Sequence, residues 1–522
     1  VTKRKDALRF IFVLATLALG AFSDAVPPRE SPWLGEVFYQ IFPRSFRDSN
    51  GDRIGDLKGI ESKLHYLHRL GITAILVNPI FKSRFYHNYF ADDFYTVDPA
   101  YGTNQDFFDL VKAAHALGIK VVLDMEVQYV SDLHPWFKEA DGDRLAGSSD
   151  VPHPPAAGLL WRSGSVYTKE LLHGYDGQKV RISAVDPENP EVLKRIKQVF
   201  EYWAAPNGEK SAGVDGFRID HMMDDFDWQH VKTNMLAGFW RPLIEDIRKI
   251  KPGEYFVGEQ ADWGFGEDLY RKAGVDAVFG FPLRGGLTSF GAREFESAID
   301  DTMSKTPEGK TCLIFIENHD VERFASLVDS DPTKLRLGAV FEFTFRGTPI
   351  VYQGQELGMK GIQLTGMTDG NDIPVRLAYR WSATLNAPGT ATWYRNTGPW
   401  SDSQFSSDRD GISVEEESKR SNSLLSFYRS LIALRRTQPA LEFGDLVRPN
   451  TQLDVVAFTR SFGSQKDLIV LNLSNGPRTV DLARFGAPNG WHTFRGVEGS
   501  SFDPIGNSLS MPAFGYEILG AN

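Results

Sequence analysis

Gly213-Val-Asp-Gly-Phe-Arg-Ile-Asp220 is the most informative stretch of this 522-residue chain. Val214, Phe217 and Ile219 interleave with Asp215, Gly216, Arg218 and Asp220, the pattern of a short strand ending on a charged tip. Residues two apart share one face of a strand, so Arg218 and Asp220 can meet. A carboxylate beside a core needs such a partner. Taken alone, the pair would be a structural ion pair. Its company changes that. Glu254-Tyr-Phe-Val-Gly-Glu259 is a second apolar run ending on a carboxylate, and Cys312-Leu-Ile-Phe-Ile-Glu-Asn-His-Asp320 is a third.

Helical patterns separate these runs. In a closed parallel barrel the C-terminal ends of all strands gather on one face, so Asp220, Glu259 and Asp320 would converge. Glycoside hydrolysis needs such convergence: one carboxylic acid protonates the leaving oxygen while a second carboxylate attacks the anomeric carbon. D-G-F-R-I-D, G-E and E-N-H-D, in this order, resemble the signature regions of the α-amylase family, glycoside hydrolase family 13.

From Glu36 to Leu357 apolar strands alternate with helices, as in repeated βα units. Strands are expected at 37–42, 74–79, 120–125, 213–220, 255–259, 277–281, 313–318 and 349–353, and helices at 104–118, 190–205 and 422–436. The expected fold class is α/β, a (β/α)8 TIM barrel with an inserted domain B and a C-terminal antiparallel β-sandwich domain. The barrel would comprise 26–127 and 187–441, domain B 128–186 and the C-terminal domain 442–522. The insert after the third strand is similar to the domain B of the family. A second long connection, 358–421, carries Trp381, Trp393 and Trp400 and should shape the site.

The composition, 42% hydrophobic and 24% charged, is that of a globular protein. A net charge of −11 argues against nucleic acid or an anionic membrane as partner and suits a neutral substrate. Lys3-Arg4-Lys5, an apolar run from Phe10 to Phe22 and Ser23-Asp24-Ala25 read as a signal peptide spanning 1–25, hence a secreted or periplasmic protein; an uncleaved anchor is the alternative. Cys312 stands alone in an apolar strand, as a buried thiol would. There is no H-E-x-x-H, P-loop, C-x-x-C or dinucleotide-binding glycine fingerprint. Oligomeric state is not legible.

The resemblance implies a role for each matching residue. Asp220 would be the nucleophile, Glu259 the general acid/base and Asp320 the third carboxylate, which grips sugar hydroxyls. Arg218 would keep Asp220 ionised, and His319 would donate to a substrate hydroxyl. Gly347-Thr-Pro-Ile-Val-Tyr-Gln-Gly-Gln-Glu-Leu-Gly358 is similar to an architectural motif of the last barrel strand. His87-Asn-Tyr-Phe90 is similar to the H-G-Y-x stretch, placing His87, Tyr89 and Phe90 against substrate with Tyr89 stacking on the sugar; an aromatic at Phe90 is more like enzymes that accept longer glucans.

Two departures stand out. The family's D-x-x-x-N-H becomes Asp124-Met-Glu-Val-Gln-Tyr129, putting Gln128 and Tyr129 where Asn and His bind substrate, so the subsite is rebuilt or the sugar preference differs. His221, directly after the nucleophile, matches neither the α-1,4 nor the α-1,6 habit.

Asp48-Ser-Asn-Gly-Asp-Arg-Ile-Gly-Asp56 places oxygens at every second residue. Asp48, Asn50, Asp52, Asp56 and the Ile54 carbonyl could wrap a hard cation, or the segment could be a solvated acidic turn. The resemblance favours a structural Ca²⁺.

The expected activity is a retaining α-glycoside hydrolase on neutral α-linked glucose oligo- or polysaccharides. Its alternatives are a transglycosylase of the same family and a non-catalytic sugar-binding or partner subunit. A carbohydrate-binding C-terminal domain would have only Trp491 and Phe494 as a platform.

Overall fold

The computed structural model describes residues 31–146, 159–160, 162–163, 166–167, 169–448, 454–486 and 490–521. The expected signal peptide lies outside the described residues. Eight parallel strands close into a barrel: β1 (Phe38–Ile41), β2 (Ala74–Val77), β3 (Lys120–Met125), β4 (Gly216–Met222), β5 (Tyr255–Gln260), β6 (Ala277–Phe279), β7 (Thr311–Ile314) and β8 (Thr348–Tyr352), with β8 returning to β1. Three of the helices around them start on local caps. Thr103 and Asp106 form a reciprocal capping box on Asn104–Ala116, Asn189 caps Pro190–Ala204 and Ser423 caps Leu424–Thr437.

Strand alternation divides the core in two. Tyr39, Ile75, Val121, Leu123, Phe217, Ile219 and Phe256 point outward and pack against the helices. Phe38, Leu76, Val122, Tyr255, Val257, Phe279, Leu313 and Ile350 point inward. Each such side chain contributes roughly 1.5–3 kcal/mol when fully buried. Trp33 plugs the lower end by stacking on Tyr255 at 4.2 Å. Gly216 leaves room for that tyrosine, since a Cβ there would lie 2.5 Å from the Tyr255 carbonyl oxygen.

Two residues further along the same inward faces the chemistry changes. Phe38 gives way to Gln40, Leu76 to Asn78, Val122 to Asp124, Gly216 to Arg218 and Val257 to Glu259, all buried. The barrel is therefore apolar at its base and polar at its C-terminal mouth.

Most barrel strands end within two residues of expectation, and two of the differences have a physical reason. β4 runs on to Met222, after a register shift against β5 at which His221 takes a left-handed φ of 51°. β7 stops at Ile314, which pairs with Pro349; a proline has no N–H to continue the ladder.

Between β3 and β4 the strands Tyr129–Ser131, Lys179–Ala184 and Lys169–His173 form a small antiparallel sheet over the mouth. Beyond Phe443 a five-stranded and a three-stranded antiparallel sheet enclose Val455, Leu468, Val470, Leu509 and Trp491. Trp491 is thus core, not a sugar platform. Trp381, Trp393 and Trp400 are buried as well, with Trp393 stacked on Tyr86 at 4.9 Å. No helix among the described residues is long and apolar enough to cross a membrane.

Candidate active site

Arg218 is the hub of the mouth. It is 1% exposed, and its guanidinium reaches Asp124 Oδ1 at 2.6 Å and Asp220 Oδ1 at 2.5 Å through Nη1, and Glu259 Oε2 at 2.7 Å through Nη2. One cation therefore links carboxylates from β3, β4 and β5. Behind it, Tyr89 donates to Asp124 Oδ2 at 2.7 Å and Asn78 donates to the same oxygen at 3.0 Å. The His221 amide, turned by its left-handed backbone, donates to Glu259 Oε2 at 3.2 Å.

Asp320 completes the trio, and its partner comes from the long connection. Arg376 Nη2 binds Asp320 Oδ1 at 2.7 Å, Nη1 donates to the Tyr86 hydroxyl at 2.7 Å, and Nε donates to the His319 carbonyl at 2.8 Å. His319 is buried behind the cleft. Gln40 Nε2 donates to its Nδ1 at 2.8 Å, which leaves the proton on Nε2, facing the Tyr89 hydroxyl and Asp320 Oδ2 at 3.1 Å. Burial, then the charges of Arg376 and Arg218, hold its pKa well below the ordinary range, so the ring is neutral.

The carboxyls separate in proton affinity. Burial pushes Glu259 well above its usual value, Arg218 opposes, and the charges of Asp220 and Asp320 reinforce the rise. The Asp220 side chain is more open, 19% exposed against 7% for Glu259, and Arg218, His221 and hydrogen bonds from Glu259 and Glu126 outweigh its desolvation and bring its pKa below the usual carboxylate range. A charged group and a protonated group thus sit side by side on one arginine. Asp320 is raised, by burial first, against the pull of Arg376.

These groups open into a cleft of about 950 Å³ between the mouth and the inserted sheet. His87, Tyr89, Phe90, Tyr129 and His221 line it, as expected of substrate contacts. Gln128 does not line it. It is 2% exposed, and its amide donates to the backbone carbonyls of Asp220 at 3.3 Å and His221 at 3.2 Å, clamping the end of β4 from behind. The Tyr129 hydroxyl is taken by Asp227 and its ring stacks on Phe226 at 5.8 Å.

Sequence reasoning missed Arg376, Asp372, Asp227, Glu126 and Trp263. Trp263 lines the cleft half-exposed and lies flat on Phe281, 4.9 Å between centroids. For Glu126 a signal existed: it lies two residues past Asp124, on the same inward parity of β3.

In the 48–56 loop, Asp48 accepts from the amides of Asn50, Gly51 and Arg53, Asn50 from Asp52, and Asp52 from Ile54. Asp56 accepts from Ser49 and caps the helix Leu57–Glu61. Among the described residues no three His, Cys, Asp or Glu side chains converge as a metal site. The five expected donors are all hard oxygens within one turn, which is the donor chemistry Ca²⁺ takes.

A (β/α)8 barrel with three carboxylates at its mouth and an arginine between two of them has the groups that glycoside hydrolysis requires. The α-amylase catalytic-domain family model matches residues 40–444. Alpha-amylase 3 of Dictyoglomus thermophilum is 30% identical over 92% of each chain. A 4-alpha-glucanotransferase of Thermotoga neapolitana is 30% identical, covering 86% of this chain and 98% of the relative. The crystal structure of an alpha-amylase from H. orenii superposes with a TM-score of 0.75 at 28% identity, covering 94% of this chain and 99% of that one. The chain belongs to the α-amylase family, glycoside hydrolase family 13.

Proposed function

We propose that the protein is a retaining α-glycoside hydrolase acting on α-linked glucose oligo- or polysaccharides. The observation that carries this reading is the Arg218 fork, which holds an ionised Asp220 and a protonated Glu259 together. Two carboxyls held at 2.5 and 2.7 Å by the two terminal nitrogens of one guanidinium stand side by side, without the gap of about 6.5–9.5 Å that the interposed water of an inverting enzyme needs. In the first step an Asp220 oxygen attacks the anomeric carbon as the glycosidic C–O bond breaks, and Glu259 gives its proton to the leaving oxygen. In the second, Glu259 takes a proton from water, the water oxygen bonds to the anomeric carbon and the ester to Asp220 breaks. Asp320, held by Arg376, would grip sugar hydroxyls, and Tyr89 would stack on the ring.

The first step is shared with transglycosylases, and the glucanotransferase relative keeps that second reading in view. Product analysis separates them. Wild type and Asp220→Asn are run on maltooligosaccharides, starch, pullulan, cyclodextrins, isomaltose, sucrose and trehalose. Shorter α-linked sugars from the wild type alone support hydrolysis, and products longer than the substrate support transfer. Turnover by the variant, or no turnover of any substrate by the wild type, counts against the reading.

The proposal extends to a structural Ca²⁺ held by Asp48, Asn50, Asp52, Asp56 and the Ile54 carbonyl, remote from the chemistry. Chelation should lower Tm by several degrees and added Ca²⁺ restore it; an unchanged Tm excludes the ion. Export rests on the basic and apolar N-terminal stretch, and N-terminal sequencing of the mature protein tests it.

A further inference from the structure

The cleft holds a carboxyl that the double displacement does not use. Glu126 is 2% exposed and lines the same cleft as Asp220, Glu259 and Asp320. It continues the inward face of β3 beyond Asp124, and the strand's tip fixes it from below. One of its oxygens accepts from the Gln128 amide, and the other lies 3.4 Å from Gln128 Nε2. The same Gln128 side chain holds the backbone carbonyls of Asp220 and His221. On its open side the Glu126 carboxyl faces the Asp220 side chain within the same cleft, close enough for the two carboxyls to share a hydrogen bond. A hydrogen bond between two carboxyls requires one proton.

We propose that Glu126 is a positioning residue for the nucleophile: its carboxylic acid donates a hydrogen bond to Asp220, opposite the pull of Arg218, and fixes the orientation from which Asp220 attacks. This rests on the reading of Asp220 as nucleophile. The groups that face the pair agree on where the proton sits. Arg218 and His221 favour charge on Asp220, while Tyr129 and its partner Asp227 offer Glu126 no cation. Burial first, and then the Asp220 charge, keep Glu126 protonated. The proton stays on Glu126 throughout the reaction.

The test is the pH profile of kcat/KM, which reports the free enzyme's groups, for wild type, Glu126→Gln, Glu126→Met and Asp220→Asn. The Gln amide keeps a donor, and Met keeps the volume without one. Gln should stay within about 3-fold of wild type with its acid limb unmoved. Met should lose about 30-fold, and its acid limb should move up by about one pH unit, because Asp220 would be harder to ionise. If Met does not fold, as judged by its thermal transition, Glu126→Ala takes its place with the same expectation. Equal losses in Gln and Met with no movement of the acid limb would make Glu126 merely structural and overturn the proposal. A Met variant as active as wild type overturns it too. Turnover by Asp220→Asn would bring down the hydrolase reading and this proposal together, whereas the other failures leave that reading standing.

Discussion

Glu356, a carboxyl buried beside the barrel, and the carboxyls gathered on Arg218 differ in what neutralises them. Around Glu356 the hydroxyls of Tyr39, Tyr66 and Tyr379 donate to one oxygen at 2.8, 3.0 and 2.6 Å, and the Gly354 amide donates to the other at 3.0 Å. That cluster is closed, with every oxygen partnered by a neutral donor. Around Arg218, one cation serves Asp124, Asp220 and Glu259, with Glu126 leaning on Asp220 and the cleft open above. A satisfied carboxyl holds structure together. A crowded one, short of counter-charge, splits into groups that keep a proton and groups that lose it, and that division is what acid–base chemistry uses.

The contrast can be broken most sharply by exchanging the clusters' expected losses. Asp220→Asn should lower kcat by at least about 10⁴-fold while its Tm stays within a few degrees of wild type. Glu356→Ala should do the reverse. Stripping the acceptor from three buried tyrosines costs roughly 2–5 kcal/mol of stability, read by urea unfolding, while kcat at 25 °C stays within about 2-fold. If Glu356→Ala lost activity in a stably folded protein, the two clusters would not be separable in this way.

Arg376→Met comes next. It leaves Asp320 without its cation, and kcat/KM should fall by about 100-fold, more through KM for longer oligosaccharides than through folding. A loss confined to Tm would make Arg376 a strut only.

The smallest effect sharpens the electrostatic claim. Glu259 has its folded pKa raised, so its protonated form contributes stability below the ordinary glutamate range, and that contribution is lost as pH rises through the raised value. Glu259→Gln cannot ionise. Its Tm should match wild type in acid and exceed it by a few degrees at alkaline pH, in thermal scans of both proteins across that range. A constant difference at every pH would contradict the raised pKa.

The strands and carboxylates were legible because their signals are local. Asp220, Glu259 and Asp320 each close or follow an apolar run, and the arginine that links two of them lies two residues from the first. Glu356 was legible as architecture for the same reason. Arg376 was not, because it lies in an irregular connection 56 residues from Asp320 and only the folded chain brings them together. Tyr129 was expected against substrate on its position alone. That its hydroxyl is taken by Asp227, 98 residues on, depends on a left-handed turn that apolar periodicity does not register. Gln128 is similar: its place in the third-strand motif suggested a sugar contact, but its depth makes it a clamp on the β4 backbone. Local pattern found the carboxyls gathered at the mouth, and long-range packing supplied the groups that hold them.

The central claim is that Asp220 carries the glycosyl group. Incubation with a 5-fluoro-α-glucosyl fluoride, followed by proteolysis and mass spectrometry, tests it directly. One glycosyl adduct is expected, on the peptide containing Asp220, formed by the wild type and absent from Asp220→Asn. An adduct on any other carboxylate, or turnover of the reagent with inversion at the anomeric carbon, would contradict it.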